Sequence, residues 1–286
     1  MKRKMMLYIV TPVYNRKEFT KNYLDALSKQ TVKDFKVIIV DDGSTDGTSE
    51  MIKEYFPDVI LLNGDGNLWW SEATNVGVRY ALEHDADRIM TLNDDTLPTE
   101  DYIEKMLYWA EKTPKALLGA FAVNSEDGKP VYGGEIRSWI PGKKSRFLLN
   151  ELPLDRQHGL HKVNIFPGRG LLIPAEVFQK IGLYDSKNLP QTFADYDFTC
   201  RAIRAGYEIY CNYDAILRIL HDESTGIRLK KEKNLSNYYH FLFDIRSGGN
   251  ITSSTIFALK NVPKLYLIPY LLYGWFVRII GYWVKK

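Results

Sequence analysis

The sequence predicts an α/β fold with a mostly parallel central sheet flanked by helices, and three observations carry that expectation. Short apolar runs alternate with amphipathic stretches of about 10–15 residues through the first half of the chain, the pattern of strands joined by crossover helices. Three of those runs end in polar clusters, TPVYNR, DDGSTD and NDD, at the sheet edge where such folds bind ligands. The 286 residues suffice for one large domain with an appendage.

Residues 7–10 are the first strand. The basic MKRK before them imitates a secretion signal, but the apolar run covers only 5–10 and no small-residue cleavage pattern follows, so a strand is the better reading. Residues 17–30 place Phe19, Tyr23, Leu24 and Leu27 near helical spacing. A strand at 37–40, a short helix at 49–55, a strand at 59–62 and a helix at 72–83 follow. A strand at 88–92, a helix at 100–112 and a strand at 116–123 complete the first half. Residues 124–160 are rich in Gly, Pro and charge and predict turns, hairpins and a mobile loop. NIFPGRGLLIPAEVFQKIG then reads as a strand, a glycine turn and a helix from about Ala175. DYDFTCRAIRAGYEIY reads as a helix closed by Gly206 and a further strand, with a last strand at 215–221.

Composition narrows the function classes. With 45% hydrophobic and 26% charged residues, the chain is neither disordered nor a fibrous repeat. Two cysteines, Cys200 and Cys211, make neither a disulfide framework nor a zinc ribbon, and fit a reduced, cytoplasmic compartment. The formal charge of +3 hides an asymmetry: from 245 to 286 there are six basic residues and no acidic one, which leaves about −3 on the rest. That polarity predicts a negatively charged partner surface.

The polar clusters suggest the chemistry. DDGSTDGT alone is compatible with a plain turn, but it recurs beside two other strand-end clusters. No phosphate-binding G-x-x-x-x-G-K-[ST] is present, and GDGNLW lacks the third glycine of a dinucleotide fingerprint. Adjacent carboxylates at a strand end, Asp94 and Asp95, require positive charge nearby. A divalent cation held by one or two carboxylates and a substrate diphosphate meets that need. Asp197 and Arg201 stand four apart on one helix and read as an ordinary ion pair.

VTPVYNR, VIIVDDGSTDGT, LNDDT, the glycines of FPGRGLLIP, ADYDFTCRAIRAGY and LHDESTG together resemble the ordered motifs of the family-2 inverting glycosyltransferases. The resemblance spans residues 6 to about 226. It implies the Rossmann-like GT-A fold, a nucleotide-sugar donor with a pyrimidine base, a glycan or lipid-linked acceptor, and Mg²⁺ or Mn²⁺. By matching positions, Pro12, Tyr14 and Arg16 would line the nucleoside pocket, and Asp42 with Asp41 would hold the base. The D-x-D triplet stands here as Asn93-Asp94-Asp95, a departure in its first place. Asp95 and His221 would bind the metal, with Asp94 near the ribose or diphosphate. Asp195 would be the catalytic base, although Ala194 replaces the usual acidic neighbour. Asn67, Trp70, Asn75 and Arg79 would contact the diphosphate and sugar. The pair Trp69-Trp70 resembles members that use dTDP-rhamnose, a UDP-sugar being the other pyrimidine donor; both tryptophans could equally be core. Gly168 and Gly170 would allow close approach of substrate, or serve as turn glycines.

The implied organisation is a catalytic domain at 1–245, with a nucleotide-binding half at 1–123 and an acceptor-binding half at 124–245, and a basic hydrophobic helical tail at 246–286. Residues 265–284 contain one charge, Arg278, but also Pro269, Gly274 and Gly281, which disfavour a simple membrane span. Aromatic residues flanked by lysines suit a helix lying in the headgroup region, peripheral at the inner face of the cell membrane. A homodimerisation helix is the alternative. Sparse basic residues amid aliphatics exclude nucleic acid as partner. Two rival functions remain, a sugar-nucleotide-forming nucleotidyltransferase and a degenerate, non-catalytic membrane scaffold of the same fold.

Overall fold

The computed structural model describes residues 5–220, 229 and 232–284. The first half supplies β1 (Leu7–Val13), β2 (Phe35–Asp41), β3 (Ile60–Asn63) and β4 (Arg88–Thr91), linked by α1 (Lys17–Ser28), α2 (Thr48–Tyr55) and α3 (Trp69–Glu83). Next come β5 (Thr96–Pro98), α4 (Tyr102–Lys112) and β6 (Leu117–Asn124). The irregular middle forms β7 (Pro130–Tyr132), a ribbon of β8 (Glu135–Ile136) with β9 (Arg146–Phe147), and β10 (Leu160–Val163). β11 (Leu171–Pro174) leads to α5 (Ala175–Ile181), α6 (Ala194–Arg204) and β12 (Ile209–Ile219). The described chain ends in α7 (Leu235–Phe243), α8 (Ile251–Asn261), α9 (Lys264–Ile279) and α10 (Gly281–Val284).

The main sheet runs in the order β10–β12–β6–β11–β4–β1–β2–β3. β1 pairs in parallel with β2 and β4, β2 with β3, and β12 with β6. β11 lies antiparallel between β4 and β6. Alternation along the central strands feeds two cores. Tyr8, Val10, Ile38 and Val40 pack on one face, and Leu7, Ile9, Ile39 and Met90 on the other. A sheet covered on both faces needs apolar residues at every position, which is why these strands read as continuous apolar runs. α3 approaches β1 closely at Gly77, where a Cβ would lie 2.4 Å from Val10 Cγ1.

One expectation is corrected. The strand following Gly206 and the strand expected from 215 are one strand, β12, whose register on β6 shifts between Asn212 and Ile216. Residues beyond 245 are in contact with the body. Phe257 of α8 packs with Ile165 and Cys200, and α8 is bonded to α6 through Asp197. That carboxylate is fully buried and accepts from Arg201 Nε at 2.8 Å, Asn261 Nδ2 at 2.9 Å and Lys260 Nζ at 3.1 Å. The i,i+4 pair is therefore one part of a four-residue hub. α9 contains Pro269 and buries none of its residues completely. No helix among the described residues is long and apolar enough to cross a membrane.

Removing the charge from such a hub leaves cations without their counter-ion. Asp197→Asn is expected to lower the unfolding free energy by about 3 kcal/mol, read as a fall in the urea midpoint. An unchanged midpoint would mean that the hub does not hold α8 on α6.

Candidate active site

Three loops converge at the carboxyl edge of β1, β2 and β4, and the polar clusters of the sequence lace them together. Asn15, in the left-handed region at φ 51°, accepts on Oδ1 from the Thr45 N–H at 2.7 Å, and its own N–H donates to Ser44 Oγ at 2.8 Å. Asp41 accepts from the Ser44 N–H at 2.9 Å and from the Ser49 hydroxyl. Asp42 accepts from the backbone N–H groups of Gly66 at 2.9 Å, Leu68 at 3.0 Å and Trp69 at 3.1 Å. Two of those donors open α3, so Asp42 caps that helix from across the sheet edge, where N–H groups lack internal partners and a negative charge is favoured. The cap also explains why α3 starts three residues earlier than periodicity predicts. Both carboxylates are thus engaged by the loops that shape the cleft. Tyr14 is exposed and Pro12 partly so, which leaves both on the cleft rim.

Beyond β4 stand Asn93, Asp94 and Asp95. Asp94 is buried, accepts from Thr20 Oγ1 at 3.2 Å, and has its pKa pushed up to about 6. Burial is the main cause, offset by the Arg16 guanidinium and reinforced by Asp95. Arg16 Nε is 3.4 Å from Asp94 Oδ1, and its Nη2 is 4.0 Å from Asp95 Oδ2. The same guanidinium lies 4.4 Å over the Phe19 ring. Arg16 thus supplies a counter-charge to the acidic pair.

Asp95 Oδ1 is buried and has no hydrogen-bond partner among the described residues, an arrangement that fits a carboxylate awaiting a cation. Mg²⁺ and Mn²⁺ accept such a sparse donor set when phosphate oxygens and water complete it. No group of three His, Cys, Asp or Glu side chains is gathered among the described residues. The Leu220 N–H donates to the Asp95 carbonyl at 2.9 Å; His221, the second expected ligand, lies outside the described residues.

Trp70 joins the two sides of the cleft. Its indole N–H donates to Asn93 Oδ1 at 3.0 Å, its backbone N–H donates to Gln191 Oε1 at 2.9 Å, and its ring meets Tyr184 edge-on at 5.2 Å. An asparagine in place of the first acidic residue of the triplet thus supplies the acceptor for Trp70. Gly168 sits against that ring: a Cβ there would lie 2.4 Å from the indole and 3.3 Å from Asp195 Cβ. Thr91 donates its hydroxyl to the Gly168 carbonyl. Gly170 has φ 76° and would crowd Leu217 and Ala120 if substituted.

Asp195 is the second residue of α6, whose N-cap, Phe193, is held left-handed at φ 69°. Its Oδ2 accepts from the Gly168 N–H at 3.0 Å and its Oδ1 from the Tyr196 N–H at 2.8 Å. Burial raises its pKa above the usual carboxylate value, opposed by these two N–H groups and by the charges of Arg169 and Arg137. Both oxygens keep lone-pair capacity for a proton.

Asn75 and Arg79 are both engaged by partners within the fold. Asn75 is buried, bonded to both backbone groups of Tyr184 and to Glu72, and braces α3. Arg79 donates to Glu72 at 2.6 Å; ten residues into α3, it stands roughly 15 Å below the helix start that faces the cleft. Asn67 is exposed, its amide turned to the Asp65 carbonyl. Trp69 is exposed at φ 57°. Gln191 and Tyr184 were not foreseen, since nothing in their local spacing announces contacts more than 100 residues away.

This fold, with a donor-side acidic loop and a carboxylate at a helix start across from it, defines a glycosyltransferase of the GT-A class. S. aureus TarS 1-349 in complex with UDP-GlcNAc matches over 98% of this chain and 89% of its own, with TM-score 0.59 at 15% identity. GalNAc-T7 with UDP, GalNAc and Mn²⁺ matches over 99% of this chain and 57% of its own, with TM-score 0.63 at 11% identity. The chain belongs to glycosyl transferase family 2, whose model matches residues 8–182. The O-antigen chain rhamnosyltransferase RfbN of Salmonella typhimurium is 23% identical over 99% of this chain and 90% of its own length. An uncharacterized glycosyltransferase of Rickettsia felis is 24% identical over 92% of this chain and 41% of its own length. The chain thus spans less than two thirds of the first curated relatives it matches.

The close approach at Gly168 is testable. Gly168→Ala should displace the Trp70 indole and cost about 1–3 kcal/mol, measured by urea unfolding. In a Trp70→Ala background most of that cost should vanish, because the colliding ring is gone. Equal costs in both backgrounds would place the strain elsewhere.

Proposed function

We propose that this glycosyltransferase moves a sugar from a pyrimidine nucleotide-diphosphate donor to an acceptor hydroxyl of a surface polysaccharide or lipid-linked glycan, with inversion, and that Asp195 is the general base. The observation that carries the reading is Asp195 itself, a carboxylate fixed by two backbone N–H groups, raised in pKa and set beside Trp70 and Gly168. In a single displacement the acceptor oxygen bonds to the anomeric carbon, the bond from that carbon to the diphosphate breaks, and the hydroxyl proton passes to the Asp195 carboxylate. Trp70 is the natural wall for the sugar, and its tie to Asn93 holds the ring in place. That tie accounts for Asn93 without degeneracy, which weighs against the scaffold reading.

The donor reading of dTDP-rhamnose draws on the paired tryptophans and on the similarity to the O-antigen chain rhamnosyltransferase RfbN; a UDP-sugar is the alternative. Mg²⁺ or Mn²⁺ would be held by Asp95, where it would neutralise charge on the leaving diphosphate. Arg16 already supplies part of that positive field. Peripheral attachment to a membrane is supported by α9, whose Leu265, Ile268, Leu272 and Phe276 are 57–80% exposed on one stripe. A stripe of that kind beside Lys264, in a segment free of acidic residues, suits anionic lipid.

Asp195→Asn keeps shape and hydrogen bonding but removes basicity. Transfer should fall by roughly 10²–10⁴-fold, while donor affinity by calorimetry stays near wild type. Near wild-type turnover would refute the assignment. The pH profile is an independent check. A base must be ionised, so kcat/KM should fall as pH drops through the raised pKa, with the acid limb above the ~4 of an ordinary aspartate. Arg169→Gln removes a charge that holds this pKa down, and should move the limb higher still.

Lipid attachment is read by vesicle flotation. Leu272→Asp and Phe276→Asp should each weaken binding to anionic vesicles about tenfold or more, since burying each side chain is worth about 1.5–3 kcal/mol. Donor hydrolysis should be retained. Unchanged flotation with altered oligomeric state would make the stripe an assembly face.

A further inference from the structure

The opposite side of α9 has a different character. Between it, α8 and the loop at 137–145 lies a cavity of about 370 Å³, bordered by Arg137, Lys143, Phe193, Phe257, Tyr270 and Arg278. Three cations line this cavity, and no carboxylate among the described residues does so. Arg137 is neutralised behind the wall, where its Nε donates to Glu135 at 2.9 Å and its Nη2 donates to the other Glu135 oxygen at 3.2 Å. Arg278 has no such partner. Its Nη1 donates to the Gly274 carbonyl at 3.1 Å, and its Nε is buried with no hydrogen-bond partner among the described residues. Burial disfavours the charge on Arg278; Tyr270 offsets this in part, and the nearby Arg137 adds to it. A guanidinium held in this way is costly unless an anion completes it.

The cavity adjoins the reaction centre. Phe193 lines it and stands two residues before Asp195, stacked on Phe257 with ring centres 5.4 Å apart. The Arg137 guanidinium lies 4.7 Å over Tyr196, the residue after Asp195. The volume and mixed aromatic lining are those of a small-ligand site, and a guanidinium with unused donors matches phosphate geometry.

We propose that this cavity binds a phosphate group carried by the acceptor, with Arg278 as its main ligand and Lys143 at its mouth. The acceptor is then a phosphate-bearing glycan or glycolipid rather than a neutral sugar. The word acceptor rests on the transferase reading above; the anion site does not.

The test uses the full chain and calorimetry with decyl phosphate, inorganic phosphate and the neutral decyl glucoside. Decyl phosphate should bind, and Arg278→Gln should weaken it at least tenfold, with Arg278→Lys intermediate. Lys143→Gln, on an exposed loop, should weaken it about threefold and guards against a folding defect at Arg278. Decyl glucoside should be indifferent to all three substitutions. Inorganic phosphate binding as well as decyl phosphate, with the same dependence on Arg278, would assign recognition to the phosphate alone; tighter decyl phosphate would assign it to a lipid-borne phosphate. Decyl phosphate affinity unchanged in folded Arg278→Gln and in Lys143→Gln would overturn the proposal. Nucleotide-sugar hydrolysis is measured alongside. Its absence from the wild-type chain would sink the transferase reading while leaving an Arg278-dependent phosphate site standing.

Discussion

The cleft depends on one carboxylate. Asp42, at the end of β2, gathers the N–H groups of Gly66, Leu68 and Trp69 and so decides where α3 begins and in which direction it leaves the sheet edge. Everything downstream is referred to that start. Trp70 is the second residue of the helix it caps, and the ring reaches Asn93 on one side and Gly168 on the other. Gly168 in turn donates its N–H to Asp195. A chain of short, directional contacts therefore runs from the loop after β2 to Asp195, and each link uses a residue whose size or hydrogen-bonding capacity is not interchangeable.

A second centre organises the other flank. Asp197 lies two residues beyond Asp195 on the same helix, yet the two carboxylates have opposite duties. Asp197 is fully enclosed by an arginine, a lysine and an asparagine, while among the described residues Asp195 accepts from backbone N–H groups that leave lone pairs open. Two residues, about half a turn of helix, separate the group that fastens α8 from the proposed general base. Because α8 carries one wall of the Arg278 cavity, the same fastening sets that wall relative to the reaction centre.

Much of this was legible in the residues. Continuous apolar runs such as 37–40 announced strands buried on both faces, and the clusters at their ends announced the cleft. What escaped has a common physical origin, contact across long sequence separation. The start of α3 was missed because its cap, Asp42, stands 27 residues earlier. Asn93 read as a loss of charge because its partner Trp70 belongs to another element. Arg79 looked suited to phosphate by type, but its depth along α3 follows only from where the helix starts. The partners of Asp197 lie 63 and 64 residues on, beyond any periodicity. β12 read as two strands because its register shift interrupts the apolar alternation.

The position of β11 and β12 has a consequence for the order of assembly. β1 to β4 find one another within the first 91 residues, and that four-stranded piece can pair as it leaves the ribosome. β6 has no neighbour among them; its partners β7, β11 and β12 are all synthesised later. Such non-local pairings are slow because the loops must close before any contact rewards them. Asp195 is encoded beyond β11, so its tie to Gly168 can form only after that strand is made, and until β11 docks the chain presents β4 as an open apolar edge vulnerable to misassociation.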